Sequence, residues 1–118
     1  MMINNSLTDK SPAEIQSCFA DRNTEKDLAD AYAVTSNMFW WTADHIDDYD
    51  EDTPEYRTAC TATDDWAALM DVYQSRIFAI LIKEGIRILE TAQIHVLLPF
   101  MEQNGYICHS GWWYPENE

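Results

Sequence analysis

The chain has 118 residues, and 21 Asp and Glu against 7 Lys and Arg give it a formal net charge of −14. That length predicts one domain, burying about two thirds of its unfolded surface. A pI near 4.2 excludes direct nucleic-acid binding and attraction to anionic membranes, since both need a stripe of Lys and Arg.

An apolar fraction of 47% argues against wholesale disorder. With only 3 Gly and 4 Pro, a turn-dense sandwich or barrel and a phosphate-cradling glycine loop are also disfavoured. Residues 1–10 are polar and predict a flexible N-terminus, followed by a single acidic helical domain over 11–118. The start of the chain lacks the basic and apolar regions of a secretory signal. Three widely spaced cysteines, Cys18, Cys60 and Cys108, predict reduced thiols in a cytoplasmic protein.

Ser11-Pro12-Ala13-Glu14 is a helix start, with Ser11 as N-cap, Pro12 in the first turn and Glu14 completing a capping box. The spacing of Ile15, Cys18 and Phe19 predicts a short helix to about Asp21. Thr24 with Asp27 opens a second helix. From there Leu28, Ala31, Tyr32, Thr35, Phe39, Thr42, Ile46 and Tyr49 step by three or four, predicting one helix over Glu25–Asp50. The Thr53-Pro54 pair ends it.

Pro54 then starts a third helix, with Ala59, Thr63, Trp66, Met70, Tyr73, Ile77 and Leu81 at helical spacing and Gly85 as its stop. Thr61–Asp65 could break it, with Thr63 capping a new start. Ile86–Leu98 predicts a fourth helix, or else two strands over Ile86–Leu89 and Ile94–Leu98. Pro99 kinks the helical version, because it has no N–H to give to His95. Asn104-Gly105 closes that element, and the aromatic tail Trp112–Pro115 folds back on the core, as a terminal segment or a short hairpin. The expected fold class is all-α, a small bundle of about four helices.

Between Asp44 and Glu55, seven of twelve residues are acids and none is a base: Asp44, Asp47, Asp48, Asp50, Glu51, Asp52 and Glu55. On a helix, Asp44, Asp47, Asp48 and Glu51 would share one exposed face, and the other three would wrap the following turn. Like charges at these spacings destabilise a helix by a few tenths of a kcal/mol per pair. One reading is a solvated face that keeps a small protein soluble; the other is a contact surface for a basic partner. Calcium fits poorly. Asp48, Asp50 and Asp52 match the first ligands of an EF-hand loop, but Thr53 stands where Gly is required and Ala59 where Glu is required. Cys60, His95, Cys108 and His109 lack the spacing of a zinc site. No cofactor or metal is expected.

The clusters Phe39-Trp40-Trp41 and Trp112-Trp113-Tyr114 remain. Adjacent tryptophans cannot both face inward on one helix, so Trp40 or Trp41 must lie at the edge of the apolar side. An exposed tryptophan beside acids is the anchor-and-surround pattern of a protein-binding surface. In this general character, small, acidic and helical, the chain resembles two inhibitor groups. One is the antirestriction and anti-CRISPR proteins, which mimic nucleic-acid charge; the other is the bacterial immunity proteins, which neutralise toxin nucleases. The resemblance implies a non-enzymatic inhibitor that occupies the basic surface of a nuclease or nucleic-acid-binding complex inside a bacterial or phage-infected cell. Its contact residues would be the seven acids with Trp40 and Trp41. The rivals are a small carboxylate-dependent metal-binding or enzymatic domain, and a helical homodimer with the aromatics at its interface.

Overall fold

The computed structural model describes residues 10–86 and 93–116, and its helix starts fall where capping chemistry puts them. Helix α1 is Pro12–Cys18, α2 is Glu25–His45, α3 is Pro54–Lys83 and α4 is Gln93–Gln103. Strands β1 (Tyr106–His109) and β2 (Trp112–Pro115) then pair as an antiparallel hairpin. The described residues thus form a mostly α fold, and the aromatic tail is the hairpin.

Both N-terminal capping boxes form. The Ser11 hydroxyl accepts from the Glu14 N–H at 3.2 Å, while the Glu14 carboxylate accepts from the Ser11 N–H at 3.0 Å. Thr24 and Asp27 repeat the exchange at 3.0 and 3.3 Å, and Arg22 adds a 3.0 Å bond to Asp27. Such boxes satisfy two otherwise orphaned donors. Thr53 caps α3 through a 3.2 Å bond from the Tyr56 N–H.

Helix α3 runs unbroken through Thr61–Asp65, because Thr63 bonds back to the Ala59 carbonyl at 2.9 Å and turns its side chain inward. It ends in a Schellman motif: the Ile86 N–H reaches Leu81 O at 2.9 Å and the Gly85 N–H reaches Ile82 O at 3.0 Å. Gly85 sits at φ +89°, a conformation a side chain would strain. At about 1.5 Å per residue, this 30-residue helix accounts for most of the molecule's 48 Å length.

Two helix ends need correcting. Helix α1 stops at Cys18, short of Asp21. Helix α2 stops at His45 rather than Asp50, and the chain passes through a 3-10 turn, Ile46–Asp48, into extended backbone at Tyr49. Carboxylates oppose the negative end of the helix dipole and repel one another at helical spacing, so the acids that follow His45 favour leaving the helix. Among the described residues helix α4 spans Gln93–Gln103, with Pro99 inside it, and residues 87–92 of the expected helix lie outside them. The alternative strand Ile94–Leu98 is therefore helical, whereas residues 87–89 of its partner lie outside the described residues.

Helix α2 is the centre of the fold. Every residue from Leu28 to Asn37 is buried except the partly buried Asp30, so its middle is covered on all sides rather than along one stripe. Helix α3 packs on one side and β2 on another. Ala29, Ala31 and Ala33 let these neighbours approach closely, and Trp66, Tyr73, Ile77, Leu97, Phe100 and Trp113 complete the core. The polar members of this stretch are satisfied. Thr35 bonds back to the Ala31 and Tyr32 carbonyls at 2.8 and 3.1 Å. The Asn37 amide donates to the Trp113 carbonyl and accepts from the Trp113 N–H, both at 2.9 Å. Asn37 therefore pairs with β2 as a third strand would.

The hairpin turns through Ser110 and Gly111, at φ +54° and +82°. Two successive positive φ values are what a type I′ turn requires, and its twist matches that of paired strands. A second clasp ties β1 to α2. The Tyr106 hydroxyl donates to Asp30, Lys26 pairs with the same carboxylate at 2.8 Å, and the Lys26 ammonium lies 4.6 Å from the Tyr106 ring centroid.

Candidate functional site

The acids gather where α2 ends and α3 begins. Asp44 is on the last turn of α2, Asp47 and Asp48 are on the 3-10 turn, and Asp50, Glu51 and Asp52 are in the connection before Pro54; Glu55 follows in the first turn of α3. All seven are exposed. They do not form one helical face, because the backbone leaves the helix among them. The connection is shaped by Thr53, whose N–H and hydroxyl both donate to Asp50 O, at 3.1 and 2.7 Å. Glu55, by contrast, lies near the positive end of the α3 dipole, which favours it.

Among the described residues the salt bridges are Arg22–Asp27 and Lys26–Asp30, both at the opposite end of α2. Asp30 and Asp27 stand about 21 and 26 Å along the helix from Asp44, at about 1.5 Å per residue. Arg57, the next base after the acids, lines a separate hollow with Pro12 and Asp65. The acidic end thus lacks neutralisation among the described residues. Tyr56 is pushed above the usual tyrosine range, first by its hydrogen bond to Cys60 and its proximity to that thiol, then by burial and the charges of Glu51 and Asp47.

Trp40 and Trp41 are 50% and 47% exposed, so each lies partly on the surface. They serve different surfaces. Trp41 lines a groove of about 380 Å³ between α2 and α3, with Thr42, His45, Tyr49, Pro54, Glu55, Thr58, Ala59 and Ala62. His45 stacks on the Trp41 indole at 4.1 Å between centroids, and its Nδ1 donates to the Trp41 carbonyl at 2.7 Å. Trp40 packs edge-on against Phe39 and faces the hairpin, sharing a hollow with Asp44, Ser110, Gly111 and Trp112.

The chain matches no protein-family model, no curated protein and no solved structure.

The chemistry open to this end is recognition of positive charge. Among the described residues no three His, Cys, Asp or Glu side chains converge as metal ligands, and no helix is long and apolar enough to cross a membrane. Cys18, Cys60 and Cys108 are free thiols, with Cys60 on α3 and Cys108 on β1. The His95 side chain lies outside the described residues.

Sequence reasoning located the acids and both tryptophans, but not the groove beside them. Tyr49 and Pro54 become its walls only once α2 and α3 are antiparallel neighbours. The legible signal was the position of Tyr49 and Pro54 at the two ends of the acidic connection. The hollow beneath Trp40 had no local signal, because Trp112 arrives from the far end of the chain.

Proposed function

We propose that this chain is a non-enzymatic acidic binding protein that occupies the basic surface of a nuclease or nucleic-acid-binding complex, a DNA mimic of the antirestriction or anti-CRISPR kind. The observation that carries this reading is the unneutralised acidic end: seven exposed carboxylates between residues 44 and 55, with no ion pair to any of them among the described residues. A nucleic-acid enzyme presents a positive groove. Duplex DNA offers it one charge per about 1.7 Å of axis, whereas these acids are spread irregularly over the end of α2, the 3-10 turn, the connection and the start of α3. Charge density, rather than atom-by-atom mimicry, is therefore the shared property. Steering by this field accelerates encounter, and half-exposed Trp40 and Trp41 supply apolar anchors that slow release. An immunity protein directed at a toxin nuclease would use the same surface.

The test captures partners from a bacterial lysate with the wild-type chain and with a variant carrying Asp47→Asn, Asp48→Asn, Asp50→Asn and Asp52→Asn. The expected result is a basic nucleic-acid-binding protein that the wild type retains, duplex DNA displaces and the variant loses. A control variant replaces Asp9, Asp21, Glu116 and Glu118 by their amides, removes equal charge and should retain the partner. Equal losses from both variants would reduce the site to net charge. Equal retention would exclude the acidic segment.

A further inference from the structure

We propose that the groove between α2 and α3 receives an arginine side chain of the partner, with its guanidinium against Trp41 and Tyr49 and its charge met by Glu55. This inference deepens the reading of the chain as a binder of basic proteins and rests on it. The groove, at about 380 Å³, is near the lower end of the roughly 300–1,000 Å³ typical of ligand sites. That is space for one long side chain rather than for a helix.

Its lining selects the occupant in two steps. Glu55 stands in the wall, and the chain joining Tyr49 to Pro54 carries exposed Asp50, Glu51 and Asp52 across one end. Charge complementarity therefore calls for a cation; an apolar side chain would leave that field unanswered. The remaining walls are mostly aromatic or aliphatic, from Trp41, His45, Tyr49, Pro54 and Ala59, and the hydroxyls of Thr42 and Thr58 are already bonded to helix carbonyls. An ammonium is compact and strongly hydrated and would remain at the rim. A guanidinium is planar, weakly hydrated and able to stack on aromatic faces while donating to a carboxylate. The stacking of His45 on Trp41, together with its 2.7 Å bond to the Trp41 carbonyl, holds the indole in place before binding, so less side-chain freedom is lost on association.

Calorimetric titration with nona-arginine and nona-lysine peptides, equal in charge and length, tests the assignment. Nona-arginine should bind about fivefold more tightly, the size of one exposed cation–π contact. Trp41→Ala and Tyr49→Ala should each bring the two peptides close to parity, whereas Ile82→Ala, an exposed apolar position at the far end of α3, should leave the arginine preference intact. Tyr49 lies beyond α2, so its variant decides the matter if Trp41→Ala melts early. Parity in the wild type, or an equal loss from Ile82→Ala, would overturn the arginine site. Parity with tight, salt-sensitive binding of both peptides would still leave the acidic-binder reading standing. Failure of both peptides to bind would overturn the two together.

Discussion

Asn37 is an amide, 1% exposed, in the middle of a helix, where propensity alone would not place it. It is retained physically because both its polar atoms meet the backbone of Trp113. Asn37→Ala would leave a buried N–H and a buried C=O without partners, a loss of about 3 kcal/mol. Chemical denaturation should show that loss as a lower midpoint, and Asn37→Leu should not recover it. Tyr106 offers a second residue-scale test. Burial first, and then its hydrogen bond and proximity to Asp30, raise the Tyr106 hydroxyl above the ordinary tyrosine value of 10.0. With the folded value raised, the unfolded state loses its proton first. The associated stability is intact below about pH 10 and falls as pH rises beyond it. Buried Tyr32 and Tyr73 are shifted in the same direction, chiefly by desolvation. The melting temperature should therefore drop above about pH 10, and less steeply in Tyr106→Phe. An unchanged slope in that variant would remove Tyr106 from the explanation.

At the scale of elements, the end of α2 is set by charge. Replacing Asp44, Asp47 and Asp48 by Lys would reverse both the dipole and the like-charge terms, each worth a few tenths of a kcal/mol. Nuclear magnetic resonance secondary shifts should then show α2 running through Asp48, the last residue of the present 3-10 turn. Unchanged shifts would mean that packing against α3 fixes the boundary. The starts of α1, α2 and α3 were legible from Ser11, Thr24 and Pro54, because caps and first-turn prolines act within four residues. The all-round burial of α2 was not legible. Ser36 and Asn37 fall off the stripe that carries Thr35 and read as surface residues until their surroundings are known, and Asn37 meets its partner 76 positions away. The candidate site divides in the same way. The seven acids are a local pattern, whereas the groove exists only where two elements cross.

For the whole molecule, a net charge of −14 means self-repulsion in the compact state, and seven of the acids share one end. Added salt screens such repulsion, with a Debye length of about 10 Å at 0.1 M. Raising sodium chloride from about 10 mM to 150 mM should therefore raise the melting temperature by a few degrees, and the fourfold Asp→Asn variant should gain less. A melting temperature that falls with salt would contradict a crowded acidic end. The Asn37–Trp113 pairing has a consequence in time as well as in energy. A ribosome makes the alanine-rich middle of α2 first, but β2, which must cover it, follows with Trp113 76 positions after Asn37. Helices α1 to α3 can assemble during synthesis, yet the core closes only once β2 has left the ribosome. A nascent chain stalled after Gly111 would show an open apolar seam to chaperones and proteases, so early termination should yield a rapidly degraded product rather than a slightly weakened one.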